Sequence, residues 1–353
     1  MKSSRLLWVL MLVALVAVMG CEGEQGPAGP AGPAGPGGAD GEDGLDGTVA
    51  CLDCHNTEAQ NAIEFQYQRS QHALGDYVDY AGGRSSCARC HSGEGFKEFA
   101  ETGDVDGNIN VPVPIGCTHC HSVHTTFEVT DLALRTSDPV AFLGDAGYGD
   151  YVVDFGTNAN LCANCHQSRR GEPNVTNPGE ATFTITSTHY GPHHGAQANV
   201  LEGQGFAEIA GSTSYPSNSL HLVMGADCIT CHMGEYADGT GGHTWEPSLL
   251  SCQNAVCHGA SATDFNVGGV QEDVQAQLDT LRDLLLGEGA IEWVVEDEAY
   301  EPVVGPYDMV VARAFFNWVG LSEDRSLGVH NPRYVDALLS NSIEALEARV
   351  PAK

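Results

Sequence analysis

The stretch Cys51-Leu-Asp-Cys54-His55 opens a series on which the reading of this chain turns. The same pattern returns at Cys87-Ala-Arg-Cys90-His91, Cys117-Thr-His-Cys120-His121, Cys162-Ala-Asn-Cys165-His166 and Cys228-Ile-Thr-Cys231-His232. A sixth copy, Cys252-Gln-Asn-Ala-Val-Cys257-His258, carries four spacer residues instead of two. Paired cysteines also suit zinc, but zinc does not require a histidine directly after every second cysteine. With 15 histidines in 353 residues, six such coincidences have odds on the order of 10^-8. A disulfide scaffold fails on the same ground. The chemistry that does require the pattern is covalent attachment of a porphyrin. Two thiols add across the two vinyl groups on one porphyrin edge, and the next residue places an imidazole under the iron. The sequence therefore predicts six covalently bound haem c groups, with twelve thioether cysteines and with His55, His91, His121, His166, His232 and His258 as proximal iron ligands.

Nine histidines remain outside the motif positions: His72, His119, His124, His189, His193, His194, His221, His243 and His330. Past residue 20 only three methionines and two lysines remain to compete with them as ligands. A second imidazole on each iron is the economical assignment. At this point the sequence resembles the multihaem c-type cytochromes of bacterial respiration. The residues carrying the likeness are Cys120-His121-Ser-Val-His124, His189-Tyr-Gly-Pro-His193-His194-Gly-Ala-Gln, Gly241-Gly242-His243-Thr and Gly328-Val329-His330-Asn331-Pro332. The long sixth motif resembles one found in small tetrahaem cytochromes of sulfate reducers. The resemblance covers residues 50 to 350. It implies that His124, His243 and His330 are distal ligands to haems distant in sequence, and by the same analogy His72 and His221. Among the three histidines near residue 190 it favours His193, with His189 as its substitute. His119 lies inside a motif, where it reads as a spacer.

Two imidazoles on every iron leave no entry for substrate, so such a chain passes electrons and does no chemistry on a bound molecule. The favoured reading is an exported hexahaem electron carrier rather than an enzyme. Its partners would be redox donor and acceptor proteins or an extracellular acceptor. One rival is a reductase of nitrite, hydroxylamine or a sulfur oxyanion at one open haem, for which the irregular sixth motif is the place to look. The other is a polymerising haem-wire subunit, a homo-oligomer in which surplus histidines ligate haems of the next copy.

Lys2 and Arg5 precede an apolar run from Leu6 to Met19, a signal-peptide layout too short for a permanent membrane helix. The junction Val18-Met19-Gly20-Cys21 resembles the lipobox of bacterial lipoproteins, with Cys21 as the lipidated residue. Cysteine counting agrees, because the other twelve pair off and leave Cys21 alone. Contact with the membrane is then through this anchor only, and the location is the outer membrane, on its periplasmic or cell-surface face. From Gly23 to Asp46 every third residue is glycine, a collagen-like tract. Extended as polyproline II it would reach roughly 75 Å and act as a stalk.

Forty-seven acidic residues against 15 basic ones give a formal charge of -32. Such a surface repels phosphate backbones and excludes nucleic acid as a partner. Calcium is not expected either. The run Asp104-Val-Asp106-Gly107-Asn108 alternates oxygen ligands, but its glycine is misplaced for an EF-hand and no bidentate glutamate follows. The fold class read from the pattern is mostly irregular and loop-rich with α-helices, a multihaem cytochrome c architecture ending in a helical C-terminal region. Thr57 and Gln60 suggest a capped helix running through Ile63, Tyr67 and Ser70 toward His72. Val274, Leu278, Leu281 and Leu285 recur at helical spacing, as do Val335, Leu338, Leu339 and Leu346. Between them a helix is expected over 307–321, and Asn331 with Pro332 reads as a helix start. The resulting division is a signal peptide at 1–20, lipidated cysteine and stalk at 21–47, a haem-binding region at 48–262, and at 263–353 a helical region carrying one distal ligand and packed on the haem region.

Overall fold

Capping chemistry splits the first expected helix in two. The computed structural model describes residues 51–126, 128, 130–143, 151–236, 240–254 and 256–349, all within one unit spanning Val49–Lys353. Cys21, the signal peptide and the glycine-repeat tract lie outside the described residues. Helix α1 (Cys51–His55) carries the first motif and α2 (Thr57–Tyr67) follows it. The cap is Asn56 rather than Thr57: its side chain accepts from the Ala59 amide at 2.8 Å, and asparagine ranks above threonine at that position. Helix α2 also ends before His72. Ser70 caps a separate turn, α3 (Gln71–Leu74), accepting from the Ala73 amide at 3.2 Å, and Gly75 closes it at φ 63°.

Between residues 85 and 252 the helices are short and joined by loops: α4 (Ser85–His91), α5 (Gly93–Thr102), α6 (Cys117–Cys120), α7 (Asn160–Ala163), α8 (Gln197–Glu202), α9 (Leu220–Val223), α10 (Cys228–His232) and α11 (Leu249–Cys252), with a further single turn at Pro173–Thr176. Helices α4 and α5 approach so closely that a Cβ on Gly95 would lie 2.4 Å from the Ala88 carbonyl oxygen, so glycine is required there. Strands occur as three antiparallel pairs among the described residues: β1 (Val140–Ala141) with β2 (Val152–Val153), β3 (Thr182–Ile185) with β6 (Gly305–Asp308), and β4 (Ile291–Val294) with β5 (Ala299–Pro302). The β3–β6 register sets Phe183 opposite Tyr307. That pairing shortens the helix expected from residue 307. Helix α13 begins at Met309, because 305–308 is committed to a ladder, and it runs on to Asp324.

Helices α12 (Val270–Gly287), α13 (Met309–Asp324) and α14 (Pro332–Glu347) build the conventional core. Val274, Leu278, Leu281 and Leu285 are all buried, as their spacing predicts. They pack with Phe315, Phe316, Tyr334 and Leu338, and with Ile185, Val200 and Phe206 from the preceding half of the chain. Asn331 caps α14 by accepting from the Tyr334 amide, with Pro332 in the first turn. Two buried asparagines tie the helices to the segment before them. Asn317 accepts from the Ala207 amide and donates to the Ala207 carbonyl, each at 2.9 Å. Asn341 brackets Thr213 in the same way, at 3.0 and 2.9 Å. A carboxamide used so pairs with a peptide as a neighbouring strand would.

Candidate functional site

Each cysteine-pair motif sits on or beside a short helical turn. In the fifth motif the turn is held by a reciprocal cap: Asp227 accepts from the Thr230 amide at 3.0 Å and its own amide donates to the Thr230 hydroxyl at 3.3 Å. In the third, the Gly116 amide donates to His119 Nδ1 at 2.8 Å, so His119 stabilises the turn of its own motif. None of the twelve motif cysteines is in a disulfide, so every pair is left for attachment chemistry.

The six motif histidines face six different imidazoles. Ring centres are 5.8 Å apart for His55 and His124, 6.2 Å for His72 and His166, and 5.9 Å for His91 and His193. They are 6.4 Å apart for His121 and His243, 6.4 Å for His221 and His258, and 6.2 Å for His232 and His330. Imidazole–metal bonds are about 2 Å long and a ring nitrogen lies about 1.1 Å from its ring centre, so two imidazoles on opposite sides of one metal hold their centres about 6 Å apart. The observed separations fit one metal between each pair. Among the described residues no three metal-ligating side chains converge, so a four-ligand zinc site is not formed.

The outer ring nitrogens tell which nitrogen is left to bind. His121 Nδ1 lies 2.8 Å from the Leu132 carbonyl oxygen and His232 Nδ1 2.7 Å from that of Trp245. His166 Nδ1 lies 3.2 Å from Gln197 Oε1, His221 Nδ1 3.3 Å from the His330 carbonyl oxygen, and His330 Nδ1 2.6 Å from Asp324 Oδ1. An Nδ1–H donated to an acceptor leaves Nε2 as the basic nitrogen, the usual arrangement of a metal-bound histidine. Burial, then the neighbouring His166, lowers His72 to about 4, and burial with Arg169 lowers His193 to about 4. Both rings are therefore neutral at physiological pH, the form that binds metal.

Trp245 joins three of the pairs. Its ring meets His72 edge-on at 4.6 Å and His243 at 5.4 Å, while its carbonyl oxygen faces His232. Trp245 and His193 have φ of 54° and 79°, a left-handed backbone that costs a residue with a side chain about 1 kcal/mol and persists where the surroundings impose it. Around the pairs the ordinary core is thin. Between residues 51 and 180 Phe96 is the one buried aromatic among the described residues, while Leu52, Phe65, Leu74, Tyr77, Tyr80 and Val111 are exposed.

Three histidines stand outside the pairs. His194 binds Glu323 at 2.6 Å, His119 serves its own turn, and His189 is exposed. Asp324, Trp245 and Gln197 escape the sequence reading because nothing in local spacing marks an acceptor that arrives from another element. A further signal was available for Asp324: an acidic residue six positions before His330, with glycine between.

No family model and no curated protein matches this sequence. Among solved structures the chain is similar to the crystal structure of the outer cell wall cytochrome OcwA, at 17% identity and a TM-score of 0.51. The alignment covers 80% of this chain and 49% of that one, so this chain spans about half the length of the structure it matches. The likeness is one of fold: helix-rich, with few and small strands. Among the described residues no helix is long and apolar enough to cross a membrane.

Proposed function

We propose that this chain is an exported c-type cytochrome that binds six haems through its six cysteine pairs, holds each iron between two histidines, and passes electrons along them. The ligand pairs are His55 with His124, His166 with His72, His91 with His193, His121 with His243, His258 with His221, and His232 with His330. The observation that carries the proposal is that six motif histidines each face a different non-motif imidazole at a spacing set by one metal. The thin side-chain core around residues 51–180 supports it, since porphyrin faces would cover the apolar residues now exposed there. The fold likeness to a cytochrome of the outer cell wall points the same way.

Bound haem supplies a one-electron iron couple. Five of the twelve paired rings, His121, His166, His221, His232 and His330, have Nδ1 held by a backbone or side-chain acceptor, and the two histidines of each pair would hold a bound iron between them and leave no place on it for substrate. The reductase reading needs one motif histidine without a partner. His258 of the irregular motif, where that reading would place the open iron, faces His221 at 6.4 Å. The polymer reading needs a ligand from another copy, whereas the pairs lie within one chain. Lipidation at Cys21 and the glycine-repeat stalk would hold the body off the outer membrane, within reach of redox donor and acceptor proteins or an extracellular acceptor.

The test is the intact mass and spectrum of the matured protein. Six haem increments, sharp low-spin absorption bands on reduction and low-spin electron paramagnetic resonance (EPR) signals are expected. A colourless preparation, fewer than six increments, or a dominant high-spin signal would refute the proposal.

A further inference from the structure

The six pairs differ in what holds their outer nitrogens: His124 Nδ1 lies 3.8 Å from Asp131 Oδ1, beyond hydrogen-bond distance, and one pair alone among the described residues has a carboxylate within it. His330 Nδ1 lies 2.6 Å from Oδ1 of Asp324, whose side chain is 1% exposed. The opposite ring, His232, has its Nδ1 2.7 Å from the Trp245 carbonyl oxygen. The Ser326 hydroxyl donates to Asp324 Oδ2 and accepts from the His330 amide, so part of the carboxylate's charge is drawn away from the oxygen that faces the ring. The other Nδ1 acceptors described above are carbonyl or carboxamide oxygens, at 2.8 to 3.3 Å.

A hydrogen bond from imidazole to a buried carboxylate pushes electron density through the ring toward a bound metal and makes the ligand more basic. In a low dielectric that effect is strong, and it favours the ferric over the ferrous iron. Resting on the ligand pairs proposed above, we propose that Asp324 is a positioning residue that makes the iron between His232 and His330 the most reducing of the six. That site is then the last to be filled and the first to give up its electron. It adjoins the irregular sixth motif, because the His330 carbonyl oxygen accepts from Nδ1 of His221, the partner of His258.

The experiment is a spectroelectrochemical titration of the full mature protein and its Asp324→Asn variant, with haem counted by mass and ligation followed by EPR. The expected result is that the lowest of the six midpoints rises, by about tenfold or more in the reduction equilibrium, which is 59 mV or more for one electron. The other five stay in place and the haem count remains six. Ser326→Ala gives a second reading with the opposite sign: it removes a donor from the carboxylate, strengthens its hold on His330, and lowers the same midpoint. An unmoved lowest midpoint in either correctly loaded variant, or an equal shift of all six, would overturn the assignment to Asp324 alone. A wild-type protein without six low-spin haems would instead overturn the ligand pairs, and this inference with them.

Discussion

Asn317 offers a sharp test of how the helical region is held to the rest of the chain. It is fully buried on α13, and its carboxamide pairs with both the amide and the carbonyl of Ala207, itself fully buried, while donating also to Ser342 Oγ at 3.0 Å. Replacing it by alanine leaves the buried Ala207 N–H with no partner, while the Ala207 carbonyl keeps the Ile209 amide, which donates to it at 2.8 Å. The orphaned amide costs about 2 kcal/mol and the lost carboxamide hydrogen bonds about 1 kcal/mol more, so Asn317→Ala should lose about 3 kcal/mol. With a urea m-value of about 3 kcal/mol/M, the midpoint should fall by about 1 M. The assay is urea unfolding of the matured protein followed by far-ultraviolet circular dichroism, with Ser342→Ala as comparison. That variant removes one partner of the carboxamide and leaves Ala207 paired, so it should cost only about 1 kcal/mol. A loss below about 1 kcal/mol for Asn317→Ala would show that the bracket around Ala207 does not hold the two parts together, and the reasoning would fail.

Leu281 is fully buried in the core, so Leu281→Ala should cost about 2–5 kcal/mol, whereas its exposed neighbour Leu286→Ala should stay within about 0.5 kcal/mol in the same unfolding assay. Burial raises the pKa of Glu202 above its ordinary 4.5 against the pull of the Tyr151 hydroxyl, which donates to it at 3.2 Å, and Asp154 adds to the rise. The folded state thus binds this proton more tightly than the unfolded state, and the group's stabilisation is lost as pH rises through the folded value. Glu202→Gln should therefore raise the thermal midpoint at neutral pH, and the gain should shrink as pH falls below the carboxylate range. An equal gain at all pH values would contradict this. Replacing His193 by alanine should convert one low-spin haem to high spin in EPR, while His189→Ala should leave all six signals unchanged, because His193 and not His189 faces His91 at 5.9 Å.

The sequence by itself determined the motif pattern on which the proposed haem attachment rests. Six cysteine pairs followed by histidine are a local pattern, and local patterns survive without tertiary information. The burial of Val274, Leu278, Leu281 and Leu285 and the Asn331–Pro332 start of α14 were legible for the same reason, since helical spacing and capping act within a few residues. Boundaries shifted where two local options compete, as at Asn56 against Thr57, or where a distant partner intervenes, as when Ala181–Ile185 draws residues 305–309 into a ladder and delays α13. Nine surplus histidines could be counted from the chain, but which one meets which motif could not, because His232 and His330 are brought together only when α10 and the loop before α14 pack. The acceptors that meet those rings, Asp324 and the Trp245 carbonyl oxygen, were likewise decided by tertiary structure. A hydrogen bond between residues far apart in sequence leaves no periodicity behind, and only the folding of the backbone around the loops sets its length.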